Sequence, residues 1–201
     1  MPRKVLGIVG SYRKGGAIDT LVSEVLRAAG EAGAETTKIY LVDRRIEFCT
    51  NCRRCTQVRG PDPGPCLHND DLAEILRAYR LSDGLVLGAP VNFFNLNALT
   101  RRFMERLVCF AYWPWESHGG PAMRSKAKTK SAVLVTSAAM PGPLIRWATG
   151  AVRALRITAT TLGARPIATL AVGLMGDEER PSVPERALRR ARAAGRRLAA
   201  P

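Results

Sequence analysis

Four of the five cysteines lie close together, at Cys49, Cys52, Cys55 and Cys66, in the order C-x2-C-x2-C-x10-C. At the shorter spacing, three cysteines can turn their sulfurs toward one centre. Thiolates are ligands of both iron–sulfur clusters and zinc. Four cysteines can complete a zinc tetrahedron, and a dithiol–disulfide pair is a third interpretation. The spacing predicts metal or redox chemistry, and the residues alone leave these three alternatives open.

A glycine-rich loop near the start of the chain, Gly10-Ser11-Tyr12-Arg13-Lys14-Gly15-Gly16, is a candidate phosphate site. It lacks both the G-x-G-x-x-G pattern of dinucleotide-binding loops and the Gly-Lys pair of Walker-type loops. A helix that begins after the loop supplies unpaired N–H groups and a partial positive charge. Arg13 can bind a phosphate through two N–H groups. An ordinary polar turn fits these residues equally well.

Two further loops carry polar or planar groups. In the first, Asn92 and Asn95 offer amide donors and acceptors, and Phe93 and Phe94 can contact a planar ring. The alternative is a capped turn with two core phenylalanines. The second loop, residues 136–142, begins with two hydroxyl side chains and is otherwise rich in small residues.

The elements that must position these loops alternate along the chain. Apolar runs predict strands over 4–9, 36–42, 84–88, 132–136 and 166–172, and helical periodicity predicts helices over 18–32, 72–79, 99–110, 144–162 and 184–199. Such alternation is typical of a parallel sheet covered by helices on both faces. In the Rossmann-like and flavodoxin-like orders alike, ligands bind beyond the carboxyl ends of the strands. The loops named above follow those ends.

Composition narrows the class of protein. The chain has 201 residues, of which 46% are hydrophobic and 24% charged, as expected of one globular domain. It has no apolar run of the roughly 18 residues that span a membrane and no signal-peptide pattern, so we expect a cytoplasmic protein. The net charge of +14 invites a nucleic-acid interpretation. Much of the excess, however, is arginine at the end of the chain, without a nucleic-acid-binding motif, which argues against that interpretation.

The first loop is similar to the phosphate loop of flavodoxin-like NAD(P)H-dependent FMN reductases and iron–sulfur flavoproteins, which often reads Gly-Ser-Pro-Arg-Lys-x-Gly-Asn-Thr. The resemblance implies that this loop binds the phosphate of FMN. The implied residues are Ser11, Arg13, Lys14, Gly15, Gly16, Ala17 and Ile18. Ala17 and Ile18 replace the Asn and Thr of the family pattern, so two side-chain donors are missing. Backbone amides and Arg13 would then carry the phosphate.

The later loops and one helix resemble the same family. Its members carry Ser-Pro-Val-Tyr-Phe-Gly along the flavin ring, where this chain has Ala89-Pro90-Val91-Asn92-Phe93-Phe94-Asn95. The residues that this match assigns to the ring are Pro90, Val91, Asn92, Phe93, Phe94 and Asn95, with Thr136, Ser137 and Ala138 approaching from the other side. The stretch RRFMER resembles the family's Lys-x-Phe-x-Asp-Arg helix. Its acid–base pair, Glu105 and Arg106, is interpreted as structural.

The cysteine segment resembles that of iron–sulfur flavoproteins, which implies a 4Fe–4S cluster on Cys49, Cys52, Cys55 and Cys66. The last gap is longer than usual, and we expect residues 57–64 to bulge so that Cys66 returns to the site. Cys109, on an apolar helix face, is expected to be a buried structural thiol.

These observations predict one flavodoxin-like α/β domain over residues 1–201, a three-layer sandwich with a five-stranded parallel sheet in the order 2-1-3-4-5. It carries a cysteine-rich loop at 44–69 and an aromatic insertion at 110–130. The implied function is FMN-dependent oxidoreduction, with NAD(P)H as a transient donor and a small molecule or electron carrier as redox partner. The resemblance also implies a homodimer or homotetramer. The aromatic residues 110–115 either pack within the chain or lie at the subunit interface, and we favour the interface. The alternatives are a quinone or flavin reductase without a metal cluster, and a zinc-stabilised basic module that binds nucleic acid.

Overall fold

Five parallel strands form the central sheet of the computed structural model, which describes residues 1–176 and 182–200. In chain order the elements are β1 (Lys4–Val9), α1 (Ala17–Glu31), β2 (Glu35–Tyr40), α2 (Leu72–Arg80), β3 (Gly84–Gly88), β4 (Val91–Asn92), β5 (Asn95–Leu96), α3 (Ala98–Arg106), β6 (Ala111–Tyr112), β7 (Ala122–Met123), β8 (Lys130–Ser137), α4 (Gly142–Ala148), α5 (Ala151–Thr161), β9 (Ala164–Val172) and α6 (Glu185–Ala199). The sheet order is β2-β1-β3-β8-β9. This confirms the predicted flavodoxin-like order and excludes the Rossmann-like one.

The three central strands, β1, β3 and β8, bury both of their faces, because helices cover the sheet on each side. Leu6 and Leu85 belong to the core on the side of α2, α3 and α5. Their neighbours Val5 and Val86 face the opposite core, which α1 and α6 cover. This alternation follows from the two-residue period of a strand, and the continuous burial explains why the strands read as unbroken apolar runs.

The prediction of a single helix over 144–162 is wrong, because the structure has two helices there, α4 and α5. They separate at Thr149 and Gly150, where the Gly150 N–H donates to the carbonyl of Phe94 with 2.8 Å between N and O. A Cβ atom at Gly150 would lie 2.9 Å from the Asn95 side chain, so the turn fits tightly against the β4–β5 hairpin. The break therefore brings α4 and α5 against the loop that follows β3.

The predicted third helix also ends early. Regular α-helix stops at Arg106, and Leu107–Phe110 continues as a 3-10 turn. Within residues 1–176 and 182–200, none of the helices has the length and apolar character needed to cross a membrane.

Candidate functional site

A cleft of about 410 Å³ opens at the carboxyl ends of β1, β3 and β8. The predicted residues that line it are Ser11, Arg13, Gly16, Ala17, Ile18, Pro90, Val91, Asn92, Ser137 and Ala138. Three segments far apart in sequence therefore meet at one edge of the sheet. This edge is where doubly wound folds bind ligands, and the volume falls within the roughly 300–1,000 Å³ typical of small-molecule pockets.

The predicted phosphate loop forms a turn in front of α1. Ser11 is buried, and its Oγ accepts a hydrogen bond from the Arg13 N–H, with 3.1 Å between O and N. Gly16 is the N-cap residue of α1, and no side chain caps the helix. The first N–H groups of a helix have no partner within it, so the cleft receives backbone donors and the positive end of the helix dipole.

The carbonyl of Gly10 fixes the base of this loop. It accepts hydrogen bonds from Asn97 Nδ2 at 2.8 Å and from Thr100 Oγ1 at 3.0 Å. Asn97 also caps α3, because its Oδ1 accepts from the Thr100 N–H at 3.1 Å. A Cβ atom at Gly10 would lie 2.1 Å from Thr100 Oγ1, so only glycine fits there. Asn97 was not among the predicted site residues, although asparagine ahead of an amphipathic helix is a typical N-cap signal.

Asp19 stabilises the predicted phosphate loop through a hydrogen bond to its backbone. Its side chain is buried and accepts hydrogen bonds from the Gly15 N–H at 2.7 Å, from Lys38 Nζ at 3.0 Å and from the Tyr40 hydroxyl at 3.1 Å. Burial opposes ionisation of Asp19, but the bonds from Gly15, Lys38 and Tyr40 outweigh it and hold the pKa of Asp19 below its ordinary value. This network was not predicted, because its members come from different elements.

The four cysteines of the predicted cluster line a second, smaller cavity of about 20 Å³, together with His68 and Arg106. All four are free thiols. Burial raises the pKa of the Cys55 thiol, and the nearby sulfurs of Cys66, Cys49 and Cys52 raise it further. Among the described residues, no three His, Cys, Asp or Glu side chains are arranged as a set of metal ligands. The structure thus brings the thiols around one cavity without showing a metal site.

Arg106 is part of the wall of this cavity, and its side chain is only 2% exposed. It forms an ion pair with Asp70, donates from Nη1 to the carbonyl of Glu47 at 2.8 Å, and donates from Nη2 to Cys66 Sγ at 3.3 Å. Arg106 and Glu105, interpreted from the sequence as a structural acid–base pair, do not contact each other, because neighbouring residues of a helix do not face each other. Glu105 instead lies 3.9 Å from Arg101.

Arg124 ties the cysteine segment to a later part of the chain. Its guanidinium donates to the carbonyls of Cys55 at 2.8 Å, Val58 at 2.7 Å and Cys109 at 3.0 Å. Beside it, the N–H of Gly64 donates to the same Cys109 carbonyl at 3.0 Å. A Cβ atom at Gly64 would lie 1.8 Å from the Cys55 carbonyl oxygen, so the loop closes only with glycine at this position.

The aromatic stretch 110–115 packs against the cysteine segment of the same chain. The guanidinium of Arg53 lies 3.6 Å from the centre of the Trp113 ring and 4.1 Å from that of Trp115. Arg53 also donates to the carbonyl of Trp113 at 2.7 Å. Cys109, just before this stretch, is buried as predicted, and burial raises the pKa of its thiol to about 12.

The sequence model of the family described as NADPH-dependent FMN reductase matches residues 3–179. The chain belongs to this family. Among solved structures of similar fold, an NAD(P)H:quinone oxidoreductase from Methanothermobacter marburgensis has a TM-score of 0.71 at 19% identity, covering 98% of this chain and 100% of that one. An FMN-dependent NADH-azoreductase from Bacillus anthracis, solved with FMN, has a TM-score of 0.71 at 12% identity, covering all of both chains.

Curated relatives resemble this member of the FMN reductase family over part of its length. An iron-sulfur flavoprotein of Methanocaldococcus jannaschii is 39% identical over 103 residues, which is 51% of this chain and 51% of that protein. An iron-sulfur flavoprotein of Archaeoglobus fulgidus is 30% identical over 111 residues, which is 55% of this chain and 48% of that protein. The chain therefore spans about half the length of the curated relatives it matches.

Several predicted residues of this FMN reductase-family chain lie outside the cleft lining. Lys14 forms an ion pair with Asp43 at 2.7 Å, and the N–H of Gly15 is taken by Asp19. Thr136 is fully buried, and its hydroxyl has no hydrogen-bond partner among the described residues. Asn95 accepts a hydrogen bond from the N–H of Leu96 at 2.8 Å.

The two phenylalanines occupy the turn between β4 and β5. Phe93 and Phe94 have left-handed backbone φ values of 46° and 62°, and their side chains are 98% and 64% exposed. The alternative of two core phenylalanines is therefore wrong. The cleft lining includes three residues that were not predicted, Tyr12, Ala139 and Met175. Tyr12 and Ala139 lie in loops that the sequence analysis singled out, whereas nothing in the local pattern marked Met175.

Proposed function

We propose that this chain is an FMN-dependent oxidoreductase that takes electrons from a reduced nicotinamide nucleotide and passes them to a small molecule or an electron carrier. The observation that carries the proposal is the cleft at the carboxyl ends of β1, β3 and β8, where an uncapped helix start faces a roomy pocket. Family membership supports FMN as the ligand of this cleft.

The chemical groups that line the cleft are of the types that bind FMN. The N–H groups at the start of α1 and the guanidinium of Arg13 would bind the phosphate. Pro90, Val91 and Asn92 would lie along one part of the ring system, and Ser137 and Ala138 along another. When bound, the flavin supplies the hydride and electron chemistry, and the protein supplies binding, orientation and electrostatics.

We further propose that Cys49, Cys52, Cys55 and Cys66 hold a 4Fe–4S cluster. The donor set supports this assignment, because four thiols line one cavity and a guanidinium N–H lies 3.3 Å from one sulfur. Such a cluster supplies one-electron transfer when bound. Similarity to iron-sulfur flavoproteins over about half of their length supports the same conclusion.

The proposal includes a single domain over residues 1–201 and a homodimer or homotetramer. Exposed apolar side chains beside the cleft support the oligomer. Phe93, Phe94 and Trp147 are 98%, 64% and 89% exposed, and Gly150 joins their two segments through its bond to the Phe94 carbonyl. Large exposed aromatic groups are typical of surfaces that bind another chain.

Arg13→Ala tests the phosphate assignment, with Lys14→Ala as the matched control. We expect Arg13→Ala to raise the Kd for FMN by about tenfold or more, because a charge-assisted bond to phosphate is lost. Lys14→Ala should change it less, because Lys14 pairs with Asp43. Flavin fluorescence quenching measures both constants. Equal FMN affinity in wild type and Arg13→Ala would refute the assignment.

A visible spectrum with iron, sulfide and zinc analysis of anaerobically purified protein tests the cofactors. Flavin bands with iron and sulfide in equal amounts are expected. Flavin bands without iron would favour the metal-free reductase. Zinc without flavin, together with salt-sensitive retention on DNA, would favour the basic binding module.

A further inference from the structure

The last cysteine of the cluster segment poses a problem that the first three do not. Cys49, Cys52 and Cys55 are close in sequence, but ten residues separate Cys55 from Cys66. Cys66 lies on an exposed loop without regular secondary structure. Its sulfur nevertheless lines the same cavity as the other three. Something other than local chain geometry must hold it there.

The cavity wall beside Cys66 contains Arg106, which comes from a different element. Arg106 lies at the end of α3, and its Nη2 donates to Cys66 Sγ at 3.3 Å. Its Nη1 donates to the carbonyl of Glu47, just before the first cysteine, at 2.8 Å. One planar guanidinium therefore contacts both ends of the cysteine segment. The fork-shaped geometry of arginine suits such a role, which a lysine cannot fill completely.

Asp70 fixes Arg106 in this position. Its side chain is 1% exposed and pairs with Arg106, while its Oδ2 also accepts the Glu47 N–H at 2.8 Å and its Oδ1 the Leu72 N–H at 3.2 Å. Burial opposes ionisation of Asp70, but these bonds outweigh it and hold the pKa of Asp70 below its ordinary value. Removing one partner of such a buried, fully bonded pair leaves an uncompensated buried charge, which strongly destabilises a protein, so the arginine is held firmly.

We propose that Arg106, held by Asp70, is the positioning residue that brings the Cys66 sulfur to the other three thiols and donates a hydrogen bond to it. The inference rests on the proposed role of the cysteines as ligands and adds the residue that completes the ligand set. A buried cation beside a sulfur also favours additional negative charge there. Arg106 therefore places the fourth thiol, and it would make a bound cluster easier to reduce.

The first test uses reduced, metal-free protein and dibromobimane, a short reagent that bridges neighbouring thiols, with the bridged cysteines mapped by mass spectrometry. Wild type should give bridges that include Cys66. In Arg106→Gln these should fall by about tenfold or more, since a hydrogen bond from a charged group shifts a local equilibrium by that factor. Bridges among Cys49, Cys52 and Cys55 should persist. Wild-type levels of Cys66 bridges in Arg106→Gln would overturn the proposal.

Three further variants keep the test decisive. Arg106→Gln/Asp70→Asn removes both charges, so no unpaired charge is buried, and it should lose the Cys66 bridges in the same way. Arg106→Lys should restore them in part. Glu105→Gln, on the same helix but without a contact to Cys66, should match wild type. Loss of every bridge in both Arg106→Gln variants would mean a general structural role and would also overturn the proposal.

A second readout separates this inference from the proposed function. After reconstitution with iron and sulfide, Arg106→Gln should bind less of both per chain, and any cluster it retains should have a more negative midpoint potential than wild type. If wild type itself takes up neither iron nor sulfide, the cluster assignment fails, while the bridging experiment still decides whether Arg106 positions Cys66. An unchanged potential with full iron and sulfide content in Arg106→Gln would contradict the inference alone.

Discussion

Asp19 Oδ2 accepts a hydrogen bond from the backbone N–H of Gly15, with 2.7 Å between the two atoms. Gly15 has a φ of 75°, a left-handed conformation that favours glycine. A carboxylate in the first turn of α1 thus fixes the last bend of the loop that faces the cleft. Lys38 Nζ lies 3.0 Å from Asp19 and offsets its charge, so no unpaired negative group lies beneath the proposed phosphate site.

Asp19→Asn should lower the free energy of unfolding at pH 7 by about 1–3 kcal/mol, the usual effect of leaving buried partners without their acceptor. The pKa of Asp19 is lower in the folded state, so its stabilisation is present above the unfolded pKa of about 3.9 and is lost as pH falls through the folded pKa. Urea denaturation at pH 7, 5 and 3 measures this. The gap to wild type should be constant at pH 7 and 5 and narrow at pH 3; an equal gap at pH 3 would contradict the assignment. Asp62→Asn, at an exposed carboxylate, is the control.

Asn97→Ala should cost about 1–3 kcal/mol of stability, because the residue both caps α3 and bonds the Gly10 carbonyl. It should also weaken FMN binding, since Gly10 leads into the proposed phosphate loop. Urea denaturation and flavin titration measure the two effects. Asn92→Ala, at an exposed position of the cleft, should keep the stability of wild type. If Asn97→Ala is clearly destabilised but binds FMN as tightly as wild type, Asn97 stabilises the fold without affecting the FMN site.

Gly64→Ala should disrupt the closure of the cysteine segment, since its Cβ atom would fall 1.8 Å from the Cys55 carbonyl oxygen. We expect a loss of about 1–3 kcal/mol or more, as for other overpacked positions, and fewer Cys66 bridges in metal-free protein. Gly120→Ala is the matched control, because nothing lies within 4 Å of its Cβ position. Thermal unfolding and thiol bridging are measured for both variants. Equal stability and equal Cys66 bridging in the two would show that the cysteine segment adjusts to the added Cβ atom, and would contradict the prediction.

Phe93→Asn should leave the free energy of unfolding of a single chain unchanged within about 0.5 kcal/mol, because the side chain is 98% exposed and asparagine tolerates a left-handed backbone. If this turn belongs to the proposed oligomer interface, the variant should dissociate at higher protein concentration than wild type. Sedimentation velocity across a dilution series measures this. Arg156→Asn, also exposed but on α5, should associate as wild type does.

The centre of the sheet could be predicted from the sequence because β1, β3 and β8 are buried on both faces. The bounds of β1 and β3 coincide with the predicted ones, since each is an apolar run that ends at turn residues. The division of residues 144–162 could not be predicted, because the apolar period continues across Gly150. A hydrogen bond to Phe94, more than fifty residues earlier, decides the break.

Within the candidate site, the three loops could be predicted because each follows the end of a strand. The residues that hold the first loop in place through hydrogen bonds, such as Asp19 and Asn97, could not be predicted. Phe93 and Phe94 suggested burial by residue type, yet a tight turn with two left-handed residues holds them outside. The partner of Arg106 lies at Asp70, in a segment that forms no helix with it. Local spacing carries no information about such pairs.

The hydrogen bonds of Arg124 bear on whether the cysteine-rich loop, residues 44–69, can be transferred to another protein. The Arg124 guanidinium spans carbonyls on both sides of the loop from a position downstream of it, and Arg53 lies between two tryptophans of that same downstream region. If residues 44–69 alone were grafted onto another protein of this fold, the graft would lack the hydrogen bonds from Arg124 and the ring contacts of Arg53. Residues 110–124 would therefore have to be transferred together with residues 44–69.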